Sequence, residues 1–168
     1  MSDLKFQEIK ISELSLVLEL FKAAAEKINK KNVDHWQYWK NPPQEKIEWV
    51  TTGIQNHEFF FIILNDTEQI GMVRIMNIDE PYWGITNDKA KYIHSLVIKD
   101  QYNGKGLGSL VIEKVTEIAK LENCEFLRLD AVSKNVGLCN YYERIGFQKV
   151  GVKESQLSTN TLFQKQLS

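Results

Sequence analysis

The stretch Gln101-Tyr102-Asn103-Gly104-Lys105-Gly106-Leu107-Gly108-Ser109 separates two apolar runs, Tyr92 to Ile98 and Leu107 to Leu121. The first reads as a strand. The second repeats apolar residues at Leu107, Leu110, Val111, Val115, Ile118 and Ala119, the steps of an amphipathic helix. Three glycines at alternate positions let the backbone between them turn sharply and approach a ligand closely. The loop opens a helix N-terminus, where unpaired N–H groups and the helix dipole favour an anion, with a pyrophosphate as the natural guest. Two common phosphate loops do not fit. GxxxxGK[ST] is absent, and the dinucleotide pattern GxGxxG meets Ser109 where its third glycine belongs. A glycine-rich turn with no ligand is the plain alternative.

Working outward, Phe6 to Ile11 reads as a first strand, and Ser12 as the cap of a helix. Its apolar positions are Leu14, Val17, Leu18, Phe21, Ala24, Ala25 and Ile28. Asn41 as N-cap, Pro42 as first helical residue and Gln44 predict a second helix, with Ile47, Val50 and Ile54 on its stripe. Glu58 to Leu64 barely alternates and reads as a strand buried on both faces. Asn65-Asp66-Thr67-Glu68 is turn chemistry leading to a returning strand, Ile70 to Ile75. Beyond the helix, Phe126 to Val132, Phe147 to Val152 and Thr161 to Gln166 read as strands, and Val136 to Arg144 as a short helix. The order β-α-α-β-β-β-α-β-α-β-β predicts a mixed α/β fold, a mostly antiparallel sheet with a central parallel β-α-β unit, in one domain over residues 1–168.

A second motif stands about thirty residues after the loop: Asn135-Val136-Gly137-Leu138-Cys139-Asn140-Tyr141-Tyr142-Glu143-Arg144-Ile145-Gly146-Phe147. Gly146 suits the left-handed residue that ends a helix, and Phe147 a core anchor after it. With Gln101, Gly104 and Gly106 matching [RQ]-x-x-G-x-[GA], and Asn135, Tyr142, Glu143, Arg144, Gly146 and Phe147 matching the companion pattern, the chain resembles the GNAT superfamily of N-acetyltransferases. Leu138 stands where that pattern commonly has a small Ala. The first half matches in element order alone.

The resemblance implies acetyl-CoA as cosubstrate, no metal, and transfer of an acetyl group to an amine in a ternary complex. It implies a cofactor strand at Leu96, Val97 and Ile98. It implies a pyrophosphate loop at Gln101, Tyr102, Asn103, Gly104, Lys105, Gly106, Leu107, Gly108 and Ser109. It sets Asn135 on the pantetheine arm and points Tyr142 at the sulfur. In that family the cofactor strand and its parallel neighbour splay apart around the thioester.

The reaction needs a base for an ammonium of pKa ~10, a stabilised oxyanion and a donor for the departing thiolate. Tyr142 suits the last as a phenolic donor, with ring packing as its plain role. Many relatives carry a Glu four residues before Leu96; here that residue is Tyr92. His94, two residues before Leu96, is the candidate base, since imidazole titrates near pH ~6.5, acting directly or through water. A core histidine is the equal alternative. Strict alternation would set Tyr92, His94, Leu96 and Ile98 on one face of the strand. Arg128 and Asp130 alternate with Leu127 and Leu129 as an exposed face does. Lys99 and Lys105 flank the phosphate path, and Cys139 reads as a small apolar filler.

Asn29 to Lys40 and Asn77 to Lys91 are the expected acceptor walls. Trp36, Trp39, Tyr82 and Trp83 lie in them beside Asp34, Asp79, Glu80 and Asp88, a mixture of rings and carboxylates that favours a cation. Trp36, Trp39, Glu80 and Trp83 are therefore the candidate substrate contacts, for a small-molecule or peptide amine. With 21 basic and 22 acidic residues the net charge is -1, which leaves no global field for nucleic acid or an anionic membrane. The longest wholly apolar run, Phe59 to Leu64, cannot span a bilayer. Two cysteines outside any CxxC and away from paired histidines argue against a zinc site, their number excludes a disulfide framework, and both fit a reducing cytoplasm. A homodimer stays open, and so does a non-catalytic acetyl-CoA sensor, which the missing strand Glu keeps in view.

Overall fold

In the computed structural model, residues 3–29 and 36–167 are described. The strand order is β1-β2-β3-β4-β5-β7-β6, for β1 (Leu4–Glu8), β2 (Phe59–Leu64), β3 (Glu68–Met76), β4 (Ala90–Ile98), β5 (Phe126–Val132), β6 (Gln148–Glu154) and β7 (Thr159–Gln166). The pair β4–β5 is parallel, and β1–β2, β2–β3, β5–β7 and β6–β7 are antiparallel. The helices are α1 (Leu14–Asn29), α2 (Gln44–Gln55), α3 (Glu80–Trp83), α4 (Leu107–Leu121) and α5 (Val136–Arg144). This is the mixed sheet expected from the element order, with α3 as an addition.

The chain forms two compact units, Met1–Arg74 with Ser95–Val111, and Ile75–His94 with Ile112–Ser168. In the first, α1 contributes Val17, Phe21 and Ala25 to a core completed by Val50, Ile54, Phe59, Phe61, Met72 and Val97. The hairpin between β2 and β3 turns through Asn65 and Asp66, both at positive φ, the backbone that suits the twist of paired strands. Two helix starts differ from expectation. A single 3-10 turn, Ile11–Glu13, precedes α1, and the Glu13 carboxylate accepts the Lys10 N–H at 2.9 Å, so Ser12 lies inside the turn and caps nothing. Likewise α2 is entered from Pro43, not Asn41, because a residue before proline is excluded from helical backbone and Pro42 precedes Pro43.

Strand β4 does not alternate cleanly. Ser95 has φ 53, a left-handed residue inside the strand, and the faces change there: Val97 is buried while Leu96 and Ile98 are half-exposed. Its carbonyl leans on β3, where a Cβ on Gly71 would lie 1.9 Å from Val97 O. Glycine at 71 is therefore a requirement of the distorted neighbour strand.

In the second unit β5 pairs with β7 over its whole length, Phe126↔Gln166 to Val132↔Asn160, and β6 is the fully exposed edge. The parallel ladder of β4 with β5 covers only Ala90↔Phe126, Lys91↔Leu127 and Tyr92↔Arg128, although β5 runs on to Val132. Helix α5 ends as its sequence suggested: Gly146 has φ 104 and Phe147 N–H returns to Tyr142 O at 3.0 Å, seating a buried Phe147.

Candidate active site

In the first unit, a 3-10 turn at Asp100–Tyr102 brings the chain off β4 into the loop. Gly104 (φ 75) and Gly106 (φ 72) both take left-handed backbone, and no protein atom lies within 4 Å of the Cβ either would carry. These glycines answer to backbone conformation and to open space, not to packing. The loop is braced from outside: Asn103 donates to Asp100 at 2.9 Å and the Tyr102 hydroxyl donates to Glu68 on β3 at 2.9 Å. That hydrogen bond to a carboxylate raises the Tyr102 phenol. Gln101, Gly104, Lys105 and Gly106 are exposed, whereas Leu107 and Val97 turn their side chains into the core and offer a ligand only backbone. Gly108 and Ser109 sit half-buried in the first turn of α4, whose opening N–H groups an α-helix leaves without partners of its own.

In the second unit a buried polar cluster collects around His94. Its Nε2 lies 2.6 Å from Asp79 Oδ2, and its Nδ1 lies 3.5 Å from Asp130 Oδ1. The side chains of Asp79, Asp130 and His94 are 3%, 9% and 13% exposed. Asp79 is delivered by the turn into α3, and the Tyr82 ring stands 5.4 Å from the imidazole. Asp130 is held from the other side, where Asn160 of β7 donates to its Oδ2 at 2.7 Å. Its Oδ1 is buried and has no hydrogen-bond partner. Burial pushes the Asp130 carboxyl up, while the facing His94 and the Asn160 hydrogen bond pull it down. Such an arrangement, an imidazole enclosed by two carboxylates of unequal bonding, is a buried polar cluster and not a solvated charge pair.

Tyr142 is buried on α5, its ring against Phe163 at 5.5 Å and Phe147 at 5.9 Å. Burial first, and the charge of Asp130 second, hold its phenol far above the ordinary range, so the hydroxyl stays a donor at any working pH. Asn135 caps α5, its side chain accepting the Leu138 N–H at 3.2 Å. Cys139 is buried, with its thiol 3.7 Å from Val132 O, in keeping with a filler role.

Three sequence expectations need correction. Trp39 is a core residue, 3% exposed and stacked on Phe21 at 3.9 Å. Trp36 is half-buried and packs edge-on against the same ring at 5.7 Å; the packing removes Trp39 alone from the wall. Asp34, placed with them, lies outside the described residues. Arg128 and Asp130 do not form an exposed face. Arg128 is 5% exposed because every edge of its guanidinium is met: Asp88 at 2.6 Å, the Tyr92 hydroxyl at 3.0 Å, Gln164 at 2.8 Å, and the Trp83 ring 4.8 Å from it. Trp83 is thus tied to Arg128, and Glu80 is exposed. The acid that turns inward is its neighbour Asp79. In the sequence Asp79 stood only among the carboxylates of the expected wall, just ahead of the helix start at Glu80-Pro81, and it makes no side-chain cap there.

With this geometry in place, comparison with known proteins identifies the relatives. The acetyltransferase (GNAT) family profile matches residues 20–147. A mouse thialysine N-epsilon-acetyltransferase is 33% identical over 67 residues, 40% of this chain and 39% of that enzyme, so the likeness spans well under two thirds of the relative. The crystal structure of a GNAT-family acetyltransferase from Listeria monocytogenes superposes with a TM-score of 0.78 at 20% identity, covering 98% of this chain and 95% of that one. The PaiA N-acetyltransferase of Thermoplasma acidophilum, solved with coenzyme A, superposes with a TM-score of 0.59 at 18% identity over 98% and 99% of the two chains. By the span of the family match and the fold that goes with it, the chain belongs to the GNAT acetyltransferase family.

Proposed function

We propose that the protein transfers an acetyl group from acetyl-CoA to the primary amine of a small acceptor, by direct attack within a ternary complex. The observation that carries this reading is the Asp79–His94 pair, whose imidazole stands on β4, the strand that the resemblance gives to the cofactor. Asp79 accepts the Nε2 hydrogen, which leaves the imidazole lone pair on Nδ1. A proton leaving the acceptor ammonium, directly or through water, goes to that nitrogen. The amine nitrogen then bonds to the thioester carbonyl carbon, the C–S bond breaks, and the thiolate is met by the Tyr142 hydroxyl. Backbone near Ser95 to Val97 is the proposed oxyanion donor, since the left-handed Ser95 takes the strand out of its regular ladder. The mouse relative's substrate, a thioether analogue of lysine by its name, supports a cationic amine as acceptor.

The proposed pyrophosphate seat is residues 101–109. At Gly106 a β-carbon would force an L-residue into left-handed backbone at a cost of about 1–2 kcal/mol, and would occupy the space over the loop. Gly106→Val is expected to weaken acetyl-CoA binding by ~10-fold or more while the protein stays folded, as read by titration calorimetry and circular dichroism. Binding within twofold of wild type would make the loop a purely structural turn.

The overall reading is tested by thiol release from acetyl-CoA across a panel of amines: diamines, polyamines, lysine analogues, arylalkylamines and a peptide N-terminus. Turnover with at least one amine, and N-acetylated product by mass spectrometry, is the expected result. Tight acetyl-CoA binding without turnover on any of them would replace the enzyme with a cofactor sensor.

A further inference from the structure

One atom in the cluster is left over by the chemistry described so far. Asp130 Oδ1 is buried, unpartnered, and 3.5 Å from His94 Nδ1. It is not loose: Asn160 grips the other oxygen of the same carboxylate, and the Ser158 hydroxyl in turn donates to Asn160 Oδ1 at 2.5 Å. A buried carboxylate oxygen without a donor is destabilising, and a fold retains it where another state of the site satisfies it. The atom it faces is the nitrogen that gains a hydrogen when the base is loaded.

We propose that Asp130 is a positioning residue of the proposed base, receiving the Nδ1–H of His94 once the acceptor amine's proton has arrived there. The inference rests on the acetyl-transfer reading and extends it. Asp79 sets the tautomer at Nε2 before the reaction, and Asp130 stabilises the imidazolium that the reaction forms. The proton balance is closed within the site. One proton moves from the ammonium nitrogen to Nδ1, the long contact to Oδ1 becomes a charge-assisted hydrogen bond, and the pair returns the proton to solvent after product leaves. Burial, the larger effect, raises the Asp130 carboxyl, and the facing His94 draws it back down, so a positive charge on the imidazole favours the carboxylate form. The other groups facing this pair are Asp79 and Tyr82 from the turn into α3 and its helix, and Tyr142 from α5, which stays protonated.

The test is made on the full chain without any substrate, by nitrogen-resolved NMR of its three histidines, with His94 assigned through His94→Gln. In wild type the neutral imidazole should carry its hydrogen on Nε2. Asp130→Asn should lower the His94 titration midpoint by about one unit or more, a ~10-fold loss of proton affinity, and Asp130→Glu should recover part of it. The acidic limb of kcat/KM should move to lower pH in Asp130→Asn, with the KM for acetyl-CoA unchanged. A midpoint shift below about 0.3 units would overturn the proposal. A neutral wild-type His94 with its hydrogen on Nδ1 would overturn it equally, and that reading needs no variant to fold. Failure of wild type to acetylate any amine would overturn the enzyme reading alone, since the titration is read without turnover.

Discussion

Tyr142→Phe is expected to cut turnover by ~10²-fold or more with little change in acetyl-CoA affinity. The ring is the structural part of this residue, packed against Phe163 and Phe147, and phenylalanine preserves it. The hydroxyl is the donor proposed for the departing thiolate, and the variant removes it. Burial and the nearby Asp130 charge hold the phenol above its usual value, while a thiol titrates near ~8.5. In the proposed reaction the hydroxyl therefore acts by hydrogen-bonding the developing thiolate while keeping its proton, not by standing as a ready anion. The sign follows for pH: because the phenol is raised, its ionisation cannot cause a fall in wild-type rate anywhere up to about pH 10. Stopped-flow thiol release and steady-state kcat measure the effect. An unchanged kcat, with the chemical step shown to limit the rate, would remove Tyr142 from the reaction.

The second large effect is at His94. His94→Ala should lose roughly 10²-fold in kcat/KM at neutral pH and recover part of it at high pH, where an alkylamine of pKa ~10 deprotonates unaided. His94→Gln keeps a partner for Asp79 but has no basicity, and should behave like the Ala variant. The comparison matters because Asp79 is 3% exposed: removing its imidazole leaves a buried carboxylate without its 2.6 Å partner, and Ala alone would confuse lost basicity with lost stability. Thermal unfolding of both variants separates the two. A fully active Gln variant would make His94 a structural or water-positioning residue.

How far these residues could be read in advance differs by kind. Helices α4 and α5 and strand β5 run in the structure over the residues their periodicity marked, because a long apolar stripe leaves one way to bury itself. The loop glycines and Gly146 were equally readable, since left-handed backbone excludes most other residues locally. Helix entry was less so. Pro43 and Glu13 each displaced a plausible cap by one or more positions, through neighbours that propensity weighs one at a time.

Composition, periodicity and two spaced motifs were enough for the fold class and the family, and they marked Tyr142 and His94 as candidates, because patterns of that kind are local in sequence. Only the tertiary structure decided what surrounds them. Asp79 and Asp130 stand 51 positions apart and meet on one imidazole because a four-residue helix turns one of them inward beside β5. The alternation around Arg128 described a wet face until the rings and acceptors that cover it were in place. Trp39 looked like a wall of the site until Phe21 met it as a core neighbour. The physical reason is common to all three. Whether a charged or aromatic side chain is buried, and therefore what its ionisation or its ring can do, is set by partners far along the chain, and no local pattern carries that information.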